Sequence, residues 1–177
     1  MVKIHSIAKP RPVSGHCNMT DIRQEIDELF SMFHDFEIKS LTFENSNLEM
    51  TIQIPWGQLW DDLSYYIKIQ LSGCDFINCK YAEVLRTPEI LAKRWVDRSF
   101  IDKSTNDQKV ISEIGVEIQQ YEFYTPNKYK FLCNSSKEFA GGELTFSADN
   151  YKLFNKEGIQ IDIQQMEKWC RVGWDSI

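Results

Sequence analysis

The chain has 177 residues, a formal net charge of −6, 42% hydrophobic and 26% charged residues, and 13% aromatics. That length suits one domain with a core of its own, and the aromatic content excludes a disordered composition. The acidic balance argues against a nucleic-acid binder, which carries a basic stripe, and suits a basic protein partner.

Residues 1–19 carry Lys3, Lys9 and Arg11 with two prolines and read as an irregular arm. Met1 to Pro12 lacks the continuous apolar core of a secretory signal, and no apolar run approaches the roughly 20 residues that span a bilayer. The expected location is cytoplasmic, without membrane contact.

Thr20 reads as the N-cap of a helix through Phe33, whose Ile22, Ile26, Leu29, Phe30 and Phe33 form one apolar stripe. Phe36–Phe43 reads as a first strand, and Asn45-Ser46-Asn47 as a turn tolerant of positive φ. Leu48, Met50, Ile52 and Ile54 alternate with polar residues, so the second strand has one wet face. After a loop, Leu63–Leu71 forms a third strand with Ile67, Ile69 and Leu71 inward. Ser72-Gly73 marks a turn, and Cys74–Tyr81 a fourth strand, expected beside the third because the connection is short.

Thr87-Pro88-Glu89 opens a second helix through about residue 97. Residues 98–109 read as a polar loop and the likeliest internal seam. Ile114–Tyr124 and Lys128–Cys133 form a strand pair around Pro126-Asn127, while Ser135–Gly142 reads as irregular, with Gly141-Gly142 as a turn. Leu144 and Phe146, then Tyr151–Phe154, continue the meander. Ile159, Ile161 and Ile163 define a last strand, and Gln164–Val172 a closing helix with Met166, Trp169 and Cys170 on one side. The order is α+β: a single domain over residues 1–177, with a mainly antiparallel sheet built from β-meanders, an N-terminal amphipathic helix, a middle helix and a short C-terminal helix.

Chemistry concentrates at His34, Asp35 and Glu37, residue types that serve metal binding, acid–base catalysis or a binding surface. The first reading is structural, with His34 meeting free carbonyls at the helix C-terminus and Asp35 bonding backbone amides in the turn. No phosphate loop, nucleophile elbow or metal-ligand spacing accompanies them, so no catalytic residue, cofactor or metal is assigned. The five cysteines lack a CxxC and read as buried free thiols, Cys74 and Cys79 on opposite faces of one strand. Cys17 beside His16 carries no geometry. Trp56, Trp60, Asp61 and Asp62 form the candidate partner-binding loop, aromatic anchors beside acidic residues, unless both indoles fold back over the sheet.

The segment Phe33-His34-Asp35-Phe36-Glu37, the hairpin Leu48–Ile54 and the strand Ile67–Gly73 together resemble small bacterial proteins. These carry an FHD-x-E motif ahead of a strand pair. Several are immunity proteins of polymorphic toxin systems, and others are families of unknown function. The resemblance spans residues 20–82, while the arm 1–19 and the insert 97–109 depart from the compact pattern. It implies a non-enzymatic intracellular protein that neutralises a toxin by contact, and no catalytic role for the motif. Two alternatives remain open on the residues: a small metal-dependent or acid–base enzyme using His34, Asp35 and Glu37, and a structural subunit of a larger assembly.

If the loop 56–62 is the docking surface, Trp60→Ala weakens toxin binding by about 2 kcal/mol or more while the melting temperature holds. Calorimetric titration alongside thermal melting checks this, and a collapse of the fold would place the indole in the core.

Overall fold

The computed structural model describes residues 19–54, 66–94, 97–125, 127–135 and 139–174. Helix α1 (Met19–Ser31) is followed by strands β1 (Phe36–Glu44), β2 (Asn47–Gln53), β3 (Tyr66–Ser72) and β4 (Ile77–Val84). Helix α2 (Pro88–Leu91), strand β5 (Phe100–Thr105) and helix α3 (Gln108–Ile114) come next. Strands β6 (Val116–Thr125), β7 (Lys128–Ser135), β8 (Phe139–Ser147), β9 (Asn150–Asn155) and β10 (Gln160–Ile161) lead into helix α4 (Ile163–Trp174). The fold is α+β: ten strands share one sheet in the order β10-β9-β3-β2-β1-β6-β7-β8-β4-β5, every pairing antiparallel.

The β1–β2 hairpin forms as its residues dictate. Asn45 and Ser46 take positive φ of 50° and 59°, the two-residue turn whose twist matches its flanking strands. Leu48, Met50, Ile52 and Ile54 of the β2 segment and Ile67, Ile69 and Leu71 of β3 are all fully buried.

Chain connectivity then decides the shape of the sheet. Five strands separate β8 from β9 in the sheet order, yet only Ala148 and Asp149 join them in sequence. Six strand spacings in a flat sheet amount to roughly 29 Å, whereas three residue steps reach about 11 Å. The sheet must therefore curl until its two halves meet. They meet at a corner where β3 turns into β4 and β8 into β9. There Asp149 N–H donates to the Ser72 carbonyl (2.8 Å), Asp75 N–H to Ser147 Oγ (2.7 Å) and Cys74 N–H to the Ser46 carbonyl (3.0 Å). Gly73 sits on this corner with φ +71°, and a Cβ there would strike the Asp149 side chain.

Helix α1 fills the hollow. Ile26, Leu29, Phe30 and the following Phe33 are at most 1% exposed. The Phe30 ring lies 5.1–5.8 Å from Phe33, Tyr121, Tyr129, Phe131 and Phe146, so one side chain touches β6, β7 and β8. Aromatic pairs at such separations add to the burial of the rings themselves. On the other side of the hollow α1 packs against β9.

The halves of the sheet share one narrow joint, the pairs Phe36↔Ile118 and Glu37↔Glu117 between β1 and β6. Beyond it the strands part and α3 enters the wedge, burying Ile111 and Ile114. Gln108 there bonds the Phe43 backbone in both directions, to its N–H (2.7 Å) and its carbonyl (2.5 Å), as a strand neighbour would.

Several sequence expectations are corrected. Helix α1 already includes Thr20, so that residue is not the N-cap. Strand β4 pairs with β8 and β5, not with β3, whose two neighbours are β2 and β9. The short link carries the chain around the corner instead of back along the same strand. The middle helix ends at Leu91, although Thr87 caps it through a bond from Ile90 N–H to its Oγ1 (3.4 Å). Residues 98–109, read as a polar loop, contain β5 and the start of α3. An edge strand has one free side and little to bury, so it carries no apolar alternation. Ile159 is exposed and Ile163 opens α4, leaving a two-residue β10.

Gly141 and Gly142 are no turn either; they lie inside β8. A Cβ on Gly142 would stand 1.8 Å from the Lys80 carbonyl oxygen, beside the bulge in which Gly141 of β8 is the extra residue opposite Tyr81 and Ala82. Only a residue without a side chain lets the two backbones approach so closely. Gly142→Ala should therefore destabilise by about 1–3 kcal/mol through forced backbone movement, comparable to Ile52→Ala at roughly 2–5 kcal/mol through a cavity. Urea denaturation checks both, and an unmoved midpoint for Gly142→Ala would mean that the strands do not pack this closely.

Candidate functional site

The His34-Asp35-Phe36-Glu37 stretch is the turn from α1 into β1. Met32 and Phe33 donate to the Leu29 and Phe30 carbonyls (3.2 and 3.0 Å), tightening the end of the helix. Asp35 then takes φ +61° and reverses the chain, and its N–H donates to the Ile118 carbonyl of β6 (2.8 Å). Phe33 and Phe36 on either side are buried with stacked rings 5.1 Å apart. The motif thus builds the joint between the two halves of the sheet.

Its polar groups divide. His34 Nδ1 and the Asp35 carboxylate sit 2.8 Å apart with half-exposed side chains, while Glu37 is engaged by Lys39. Ion pairs this exposed contribute little, at most about 1 kcal/mol. Among the described residues, no three His, Cys, Asp or Glu side chains converge in a way that could hold a metal ion.

Trp56, Trp60, Asp61 and Asp62 lie outside the described residues, as do His5, His16 and Cys17. Among the described residues, Gln53 pairs with both Glu37 and Tyr66, at the sheet end that carries Asp35.

Cys74, Cys79, Cys133 and Cys170 are all buried. Burial pushes the Cys74 and Cys79 thiols up to about 11 and the Cys133 and Cys170 thiols up to about 12, which keeps them protonated and poorly nucleophilic. Cys74 belongs to the corner and Cys79 to β4, so strand alternation does not relate them, and both face inward.

Two carboxylates of α1 meet tyrosines on separate walls of the hollow. The Tyr121 hydroxyl of β6 donates to Asp27, and the Tyr151 hydroxyl of β9 donates to Glu25 (2.9 Å). Burial first, and then the bonded carboxylate, raises both phenols well above their ordinary value. The phenols remain neutral donors. These bonds orient α1 between the walls.

The clearest exposed surface feature is at the end of β6. Phe123 and Tyr124 are 62% and 55% exposed, and Lys130 stands 5.7 Å over the Tyr124 ring. The β6–β7 pairing shifts register between Phe123 and Thr125, so Tyr124 is an extra residue at the hairpin tip and strict alternation does not hold there. Sequence reasoning passed over them. The signal was Tyr121-Glu122-Phe123-Tyr124, in which aromatics break the inward–outward alternation and at least one must face water.

No described helix is long and apolar enough to cross a membrane. Comparison of the chain with family models, with curated proteins and with solved structures gives no match.

The positive φ of Asp35 separates a conformational role from a chemical one. Asp35→Gly keeps the left-handed turn, whereas Asp35→Ala must force a Cβ-bearing residue without a local hydrogen bond into it, at a cost of roughly 1–2 kcal/mol. Asp35→Gly should therefore melt above Asp35→Ala, although both lose the His34 contact. Equal melting would show that the carboxylate, not the backbone, is what the turn requires.

Proposed function

We propose that the chain is a non-enzymatic binding protein of the immunity type, which neutralises a basic toxin in the cytoplasm by direct contact. The observation that carries this reading is the exposed Phe123–Tyr124 pair on the β6–β7 hairpin. Large aromatics held on rigid backbone are the side chains from which protein interfaces draw most of their affinity. Exposing two of them together is unfavourable for an isolated protein and favourable for one with a partner. The net charge of −6 suits steering toward a basic surface. The FHD-x-E resemblance supplies the class, and the fold gives that motif an architectural task, consistent with a family in which it carries no chemistry.

The test takes any toxin domain found encoded beside this chain's reading frame. Co-expression of the chain should rescue cells from that domain, and the purified pair should elute as one complex. Phe123→Ala with Tyr124→Ala should raise Kd by at least about thirtyfold. Thermal melting should hardly change, because neither ring is buried. Undiminished rescue and affinity in that double variant would refute this use of the hairpin, and the absence of any rescue by the parent would refute the immunity reading.

A further inference from the structure

Two shallow grooves run along the seam between α1 and α4. One, of about 410 Å³, is lined by Glu28, Ser31 and Met32 of the α1 end and by Ile163, Gln164 and Glu167. The other, of about 310 Å³, lies between Glu25 and β9–β10 and includes Tyr151, Ile161 and Asp162. Both include Ile163 and Gln164, so together they form one channel around the first turn of α4. Half-buried Met32, Ile161 and Ile163 give it an apolar floor.

The rim is negative in a particular way. Glu25 accepts from the Tyr151 hydroxyl (2.9 Å), Glu28 from the Gln24 amide (3.0 Å) and Asp162 from the Gln165 N–H (2.7 Å). Each of these donors is neutral, so among the described residues the three carboxylates are satisfied as acceptors without a paired cation. Glu167 differs, because Arg171 pairs with it. The amino end of α4 offsets part of the Asp162 charge, and Lys152 also lines the channel. The balance stays negative. Its field converges on the channel: Glu25, Glu28 and Asp162 all act together with burial to hold the Tyr151 phenol up.

We propose that this α1–α4 channel docks a basic segment of a partner protein, seating one apolar side chain on Met32 and Ile163 between flanking lysines or arginines. That the partner is a toxin rests on the reading above; the basic, apolar-anchored chemistry of the segment does not. A second copy of this acidic chain is a poor occupant, since like charges would meet. Residues 1–18 of the chain, with Lys3, Lys9 and Arg11 and no acidic residue, are the competing occupant.

A labelled peptide of alternating lysine and leucine serves as the probe, with a glutamate–leucine peptide as control. The variant Glu25→Gln, Glu28→Gln, Asp162→Asn removes three charges and keeps every acceptor, so folding is preserved and thermal melting verifies it. The lysine peptide should bind the full chain, shift the amide resonances of Met32, Tyr151 and Ile163, and weaken with salt. The triple variant should bind it at least tenfold more weakly and with little salt dependence. Equal affinity for parent and variant, binding of the glutamate peptide, or resonance shifts confined to other surfaces would overturn the proposal. Binding seen only after removal of residues 1–18 would also overturn it, by making the channel an intramolecular dock. If a neighbouring toxin binds the parent and the triple variant equally well, the immunity reading stands and the channel does not. If the peptide binds in the channel and no toxin is neutralised, the reverse holds.

Discussion

A link of two residues, Ala148 and Asp149, between strands that lie six spacings apart is the constraint on which the rest of the molecule depends. No flat or gently twisted sheet can satisfy it. Curling brings β3 and β9 round to β4 and β8, and a curled sheet has an inside that must be filled. Helix α1 is the filler, and its apolar stripe is wide enough to meet both walls. Phe30, with five rings around it, is the contact that makes filling and curling a single event. The same need explains why two carboxylates of this helix find tyrosines on opposite walls. A helix in a hollow can rotate or slide on apolar contact alone, whereas hydrogen bonds to two walls admit one orientation.

The joint at Phe36–Glu37 is the counterpart of the corner. The corner closes the curl at one end of α1; the β1–β6 pairs hold the halves together at the other. Two pairs are few, and α3 with Gln108 completes the edge of β1 where β6 has departed. The residues that look most like chemistry, His34 and Asp35, stand at this joint because a helix must reverse into a strand there. Asp tolerates the left-handed backbone that the reversal needs better than most residues. Burial of the flanking Phe33 and Phe36 leaves the short polar residues between them facing water.

Which parts of this were legible in sequence follows from the range of the physics involved. Local periodicity placed α1, β2 and β3 and put Ile26, Phe30, Phe33, Leu48, Met50, Ile52, Ile54, Ile67, Ile69 and Leu71 in the core, because burying one face imposes period 3.6 or 2 directly on the chain. The neighbour of β4 was not legible. It depends on a link seventy residues further on, and at Gly73 nothing local distinguishes a hairpin turn from a corner. Strand β5 hid behind Asp102, Lys103 and Ser104, since an edge strand that discourages aggregation reads as a loop. Gly141-Gly142 signalled close approach of backbones, but the approaching backbone is that of Lys80, far away in sequence. Of the candidate site, the Phe123–Tyr124 pair was readable in principle from its broken alternation. The α1–α4 channel was not, because its walls come from the two ends of the described chain.

The pattern of charge follows from the same architecture. On the outer face, Glu122, Lys130, Glu143 and Lys80 lie on successive strands from β6 to β4 and meet as ion pairs, as Glu49 and Lys68 do between β2 and β3. Each sits opposite or diagonal to its partner, where strand spacing brings unlike charges together, so that face is close to neutral locally. Around α1 and the first turn of α4 the partners of Glu25, Asp27, Glu28 and Asp162 are tyrosine hydroxyls, an amide and a backbone N–H, all neutral donors. Geometry thus neutralises the sheet surface and leaves the helix surface negative. There the negative rim borders a partly buried apolar floor, the combination on which the proposed docking of a basic segment rests.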